Sequence, residues 1–114
     1  MRQTLAIVAL SVFTTLFADA ALASGRLCTK FESRPAVQTV VQILAKKLSY
    51  SMEQLCNHER ILDIQDEPRR FFYQDSGQYE THTVITLHYN EYSCEYHYNA
   101  GRSQWQKEYC YSTW

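Results

Sequence analysis

Four cysteines, Cys28, Cys56, Cys94 and Cys110, constrain this chain more than any other feature. A chain of 114 residues buries a limited core and gains much from extra restraints. An even number of cysteines in a short exported chain reads as two disulfides. None of the four stands in a Cys-x-x-Cys unit, which argues against a zinc site. The N-terminal stretch supplies the export signal that this reading needs. Arg2 gives a positive start, Leu5 to Phe17 is apolar or small, and Ala21-Leu22-Ala23 offers the small residues of a cleavage site. Ala18-Asp19-Ala20 is a second possible site. The apolar run, about 13 residues, is too short to cross a bilayer of roughly 30 Å as a helix. Bulky Leu27 before Cys28 argues against lipid attachment. The expectation is a signal peptide over 1–23 and a single disulfide-stabilised domain over 24–114. That domain resides in the periplasm or outside the cell, with no stable membrane anchor after cleavage.

The pattern within the domain changes near Pro68. Before it, Val37, Val40, Val41, Leu44, Leu48, Met52 and Leu55 recur at spacings of three and four, one apolar stripe on a helix. Ser33 and Pro35 mark its start. Ser49-Tyr50-Ser51 is a weak point, where Ser51 and Gln54 form a potential capping box that restarts the helix. The stripe keeps its phase across that point, so one long helix, kinked at most, is expected to end near Cys56 to Glu59.

After Pro68 the period becomes two. Ile61 to Glu67 reads as a connector with a short extended piece, Arg70 to Gln74 as a short strand, and Asp75-Ser76-Gly77-Gln78 as a turn. A two-residue turn at Asn90-Glu91 sets Tyr89 opposite Tyr92, Leu87 opposite Cys94 and Ile85 opposite Tyr96 on one side. His88, Thr86 and Val84 then face Ser93, Glu95 and His97 on the other. A one-residue slip would mix the faces. A turn at Ala100-Gly101 pairs Tyr96 with Trp105 and Tyr92 with Tyr109, leaving Lys107 to snorkel at the edge. The fold class expected is α+β: one long N-terminal helix packed on a four-stranded antiparallel meander, with two disulfides. The aromatic side faces the helix. His82, Thr86, His88, Glu95, His97, Gln104, Gln106 and Glu108 face solvent.

Two geometric arguments bear on the disulfides. An unbroken helix from Ala36 to Cys56 is roughly 30 Å long, beyond the reach of about 25 Å from Cys28 to Pro35. A bridge from Cys28 to Cys56 therefore needs a helix break near Ser49. The aromatic register sets Cys94 and Cys110 on opposite faces, unless a single bulge intervenes in the last hairpin. Pairing of Cys28 with Cys110 and of Cys56 with Cys94 is the expectation.

A net charge of −1, without a basic stripe, points away from nucleic acid. His82, His88 and His97 with Glu95 share the outward side, but His82 and His88 lie roughly 20 Å apart at about 3.3 Å per residue. They read as solvated polar residues, and no metal or cofactor is expected. Ser76-Gly77 lacks the flanking pattern of a nucleophile elbow, and oxidised cysteines are not nucleophiles. A helix laid on a meander resembles the cystatin-like architecture in layout. The glutamine-valine-glycine loop and proline-tryptophan hairpin of cystatins are absent, so the resemblance implies nothing about protease inhibition. Tyrosine, tryptophan and arginine dominate protein interfaces; Tyr73, Tyr79, Tyr98, Tyr111 and Trp114 lie at strand ends or the terminus, and Arg69, Arg70, Tyr73, Tyr98, Arg102 and Trp114 are the candidate binding residues. The sequence thus reads as a non-enzymatic protein-binding module, such as an inhibitor, immunity protein or envelope adaptor. The alternatives are a carrier of a small apolar ligand between helix and sheet or, less favoured, a metal-dependent enzyme.

Overall fold

The computed structural model describes residues 25–113; residues 1–24, which include the expected signal peptide, and Trp114 lie outside the described residues. A 3-10 turn over Thr29–Phe31 leads into helix α1, Pro35–Lys47, and a short helix α2, Met52–Cys56. Four strands follow: β1 Asp63–Tyr73, β2 Gln78–His88, β3 Tyr92–Asn99 and β4 Gln104–Ser112. They form one antiparallel sheet in the order β1-β2-β3-β4, the meander that the period-two pattern implies.

The long helix is not found: it stops at Lys47 and restarts at Met52. Local chemistry explains the break. Ser49 takes φ of 63°, the Ser49 N–H donates to the Lys46 carbonyl, and the Tyr50 N–H donates back to Ala45 at 2.8 Å. That is a Schellman closure with serine where glycine is usual. Ser51 then caps α2: its hydroxyl accepts from the Gln54 N–H, and the Gln54 side chain accepts from the Ser51 N–H. The apolar spacing in the sequence runs on across the break, which is why the stripe alone does not reveal it. At the other end Arg34, not Ser33, is the N-cap residue and makes no capping hydrogen bond; its guanidinium grips Asp66 instead, at 2.7 and 2.6 Å.

The break lets the chain fold back so that Cys28 bridges Cys56, and the second bridge joins Cys94 to Cys110. This corrects the expected Cys28–Cys110 and Cys56–Cys94 pairing. Both geometric obstacles fail: the helix is interrupted, and the last hairpin carries a bulge between His97 and Tyr98. Trp105 pairs with Tyr98 and Lys107 with His97, so Gln106 is the extra residue and every later β4 side chain changes face. Cys110 arrives opposite Cys94 and Tyr109 opposite Glu95. Gly25 completes the fold-back, since a Cβ there would lie 2.5 Å from the Cys56 Cβ.

Strand β1 is also longer than the short strand expected at Arg70: the supposed connector from Asp63 onward pairs with β2 over its whole length. The β2–β3 register is the one read from the Asn90-Glu91 turn, with Leu87 opposite Cys94 and Ile85 opposite Tyr96. Gly77, with φ of 68°, closes the first hairpin where a side chain would be strained.

The core lies between the helices and one end of the sheet. Val41, Leu44, Leu55, Ile61, Ile64, Ile85 and Leu87 are fully buried, and Tyr89, Tyr96 and Trp105 pack against them. Tyr92 sits at the rim of this cluster, 38% exposed. Glu108, expected on the outward face, lies on the helix side after the bulge and pairs with Lys47 at 3.1 Å.

Replacing Ser49 by Gly is expected to stabilise the oxidised domain by about 1 kcal/mol, because the left-handed residue loses its Cβ penalty. Ser51→Ala is expected to cost about 1 kcal/mol through loss of the cap. Denaturant unfolding with both disulfides intact measures each; equal midpoints for the two variants would contradict the broken-helix geometry.

Candidate functional site

The opposite face of the sheet, expected to be solvated, is largely buried although no helix among the described residues lies on it. His82, Ser93, Glu95, His97 and Asn99 are all below a tenth exposed. Long side chains from the two edge strands fold over them. Phe71 stacks on His82 with ring centroids 4.3 Å apart, and Tyr109 lies 5.9 Å from His97.

Two polar networks hold this face. In the first, one oxygen of Glu95 accepts from Arg69 at 2.9 Å, Tyr109 at 2.8 Å and His97 Nε2 at 3.1 Å. Burial pushes the Glu95 carboxyl up, but the three donors outweigh it and hold the group at about 2. Arg69 is shared with Glu67 at 2.8 Å. In the second network Arg102 grips Asp75 with two bonds of 2.8 Å and Glu80 with two of 2.6 Å, while its guanidinium lies over the Tyr73 ring. Arg102 holds the Glu80 carboxyl at about 2, and Asn99 adds a bond of 2.7 Å. Tyr73 reaches His82 Nε2 at 2.5 Å. The Nδ1 atoms of His82 and His97 are buried without partners.

An open groove of about 450 Å³ runs beside the first network, lined among others by Lys30, Gln65, Glu67, Arg69, His88 and Glu95. His88 is fixed there by Ser93 at 2.7 Å and Gln65 at 2.8 Å. Each charged group in the groove is engaged: Lys30 with Asp63, Arg34 with Asp66, and Arg69 with Glu67 and Glu95. Ser93 is fully buried, so its contact with His88 offers no accessible nucleophile. Among the described residues no cluster of three or more His, Cys, Asp or Glu is placed to hold a metal ion.

The candidate binding residues scatter. Arg69, Tyr73 and Arg102 belong to the internal networks of the polar face, where Tyr73 and Arg102 meet. Tyr98, expected at an exposed rim, is 8% exposed and part of the core, against Trp105. Trp114 lies outside the described residues. Arg70 alone stands on the helix-side face and in the open, its guanidinium 4.9 Å from the Tyr79 ring. Beside it stand Tyr79, one of the strand-end tyrosines, and Phe72, which sequence reasoning left out altogether. Phe72 is 54% and Tyr79 61% exposed, and they face each other across β1 and β2 with rings 5.4 Å apart. Alternation from Ile64, once the full length of β1 is recognised, carries Pro68, Arg70 and Phe72 to this face.

No protein-family model matches the chain, and neither do the curated proteins or the solved structures compared with it.

Acid is expected to weaken the fold in two stages. Burial and the neighbouring His97 push the His82 pKa down from its ordinary 6.5, so the unfolded chain takes up that proton first and stability falls as pH drops below about 6.5. Glu95 stabilises the fold fully above its ordinary 4.5, and that contribution drains away as pH falls toward about 2. Glu95→Gln is expected to cost about 2 kcal/mol at neutral pH and to flatten the lower stage. Chemical unfolding from pH 8 to pH 2 provides the check; an unchanged acid limb in the variant would contradict the network.

Proposed function

We propose that this chain is an exported, non-enzymatic protein-binding module that docks through the helix-side face of the β1–β2 hairpin. The observation that carries the reading is the uncovered Arg70, Phe72 and Tyr79 group, two large aromatics more than half exposed beside a cation. The helices bury this side only as far as Ile85 and Tyr98; beyond them Pro68, Arg70, Phe72, Tyr79 and Thr81 all face water. Single exposed apolar residues are ordinary, but an adjoining aromatic pair capped by arginine has the composition of an interface centre. Two disulfides support an oxidising, exported setting. The titratable groups on the other face are bound to one another, which supports a scaffold over a catalyst.

A photo-crosslinking amino acid placed at position 72 or 79, in the full chain exported by its own producing cell, is expected to give a discrete higher-mass adduct. The same probe at exposed Gln42 on α1 is expected to give none. Equal labelling at all three positions, or none at 72 and 79, would contradict the reading.

A further inference from the structure

We propose that the occupant of this surface is a short extended segment of a partner protein, acidic in character, which adds as a fifth strand to the open edge of β1 beside Arg70. The inference rests on the docking reading above and adds the partner's conformation and charge.

The edge is the first observation. β1 borders the sheet and, among the described residues, pairs only with β2. Pro68 sits inside it, opposite Thr83, and has no N–H for the ladder. A proline is accommodated in a strand where its nitrogen faces the unpaired edge. Alternation then turns the backbone N–H and C=O groups of Arg70 and Phe72 to that same open edge, while their side chains stand on the helix-side face. A strand added here finds two regular residues beyond Pro68 before the hairpin turns, so about five residues of partner suffice.

Charge is the second. Arg34, Arg69 and Arg102 are each gripped by carboxylates. Arg70 has no ion pair among the described residues; only the Tyr79 ring faces it. A carboxylate one strand away, on the same face, would reach the guanidinium and complete it with charge-assisted bonds. An aromatic or branched side chain beside it would lie on Phe72 and Tyr79. A second copy of this chain fits poorly, because β1 laid antiparallel on its own copy here brings Arg69 and Arg70 against the same pair in the other copy, and like charges across strands repel.

The test uses 15N-labelled oxidised domain and two synthetic peptides, acetyl-Ser-Glu-Val-Tyr-Val-Glu-Ser-amide and its counterpart with both Glu replaced by Lys. The acidic peptide is expected to shift the backbone amides of Arg70 and Phe72 saturably, and to bind at least about tenfold more tightly than the lysine peptide. Arg70→Glu, at an exposed position, is expected to reverse that order without changing the fold. Equal binding of both peptides, shifts confined to other elements, or binding to phosphatidylglycerol vesicles with no peptide response would each overturn the inference. Adducts at positions 72 and 79 that persist undiminished in Arg70→Glu would also overturn it while leaving the docking reading intact. Their absence from the unmutated chain removes the docking reading itself.

Discussion

Glu95 is a carboxylate placed on the side of the sheet that α1 and α2 leave uncovered, yet it is 7% exposed. A buried carboxylate is tolerable only when donors replace the water it has lost. Here they come from three strands: Arg69 on β1, His97 on β3 itself and Tyr109 on β4. The bulge at His97/Tyr98 is what delivers Tyr109, and the same shift aligns Cys110 with Cys94. One irregularity thus serves the second disulfide and the polar network together. With the edge strands drawn over this face, the small domain gains a second buried layer that neither α1 nor α2 supplies, in addition to its two covalent staples.

The two faces divide the work. On one, Arg69 and Arg102 neutralise Glu67, Asp75, Glu80 and Glu95, and the hydrogen-bonding capacity of these groups is largely used inside the molecule. On the other, the helices cover the Ile64–Leu87 end of the sheet and leave the hairpin end bare. Such a platform is rigid where its networks and disulfides lie and available where Phe72 and Tyr79 project. Preorganisation of this kind reduces the entropic cost of binding an extended segment.

Much of this was legible in the residues. The Asn90-Glu91 turn set the β2–β3 register because any slip would have mixed apolar and polar faces, and the Ser51/Gln54 capping box was visible as a restart signal. The helix break itself was hidden, since the apolar spacing continues through the sequence of α1 and α2 and a serine, not a glycine, occupies the left-handed position. The disulfide pairing was misjudged through the bulge, a one-residue insertion with no glycine to announce it at His97 or Tyr98. The length of β1 was concealed by its acidic, proline-containing first half, which has the composition of a connector but the pairing of an edge strand. That error also hid Phe72, whose exposure, like that of Tyr79, follows from how far the hairpin runs past the helices. His82 and His97 were placed on the correct face but not recognised as buried, because their cover comes from side chains of neighbouring strands.

The claim on which the account turns is that Arg69 and Glu95 act as an internal pair stitching β1 to β3, not as surface groups held for a ligand. A double-mutant cycle with Arg69→Gln, Glu95→Gln and the combined variant, read by equilibrium unfolding of the oxidised domain, isolates that interaction. A coupling of about 1–2 kcal/mol is predicted. Additive effects, within a few tenths of a kcal/mol, would mean the two groups do not sense each other, and the polar face would lose its organising contact.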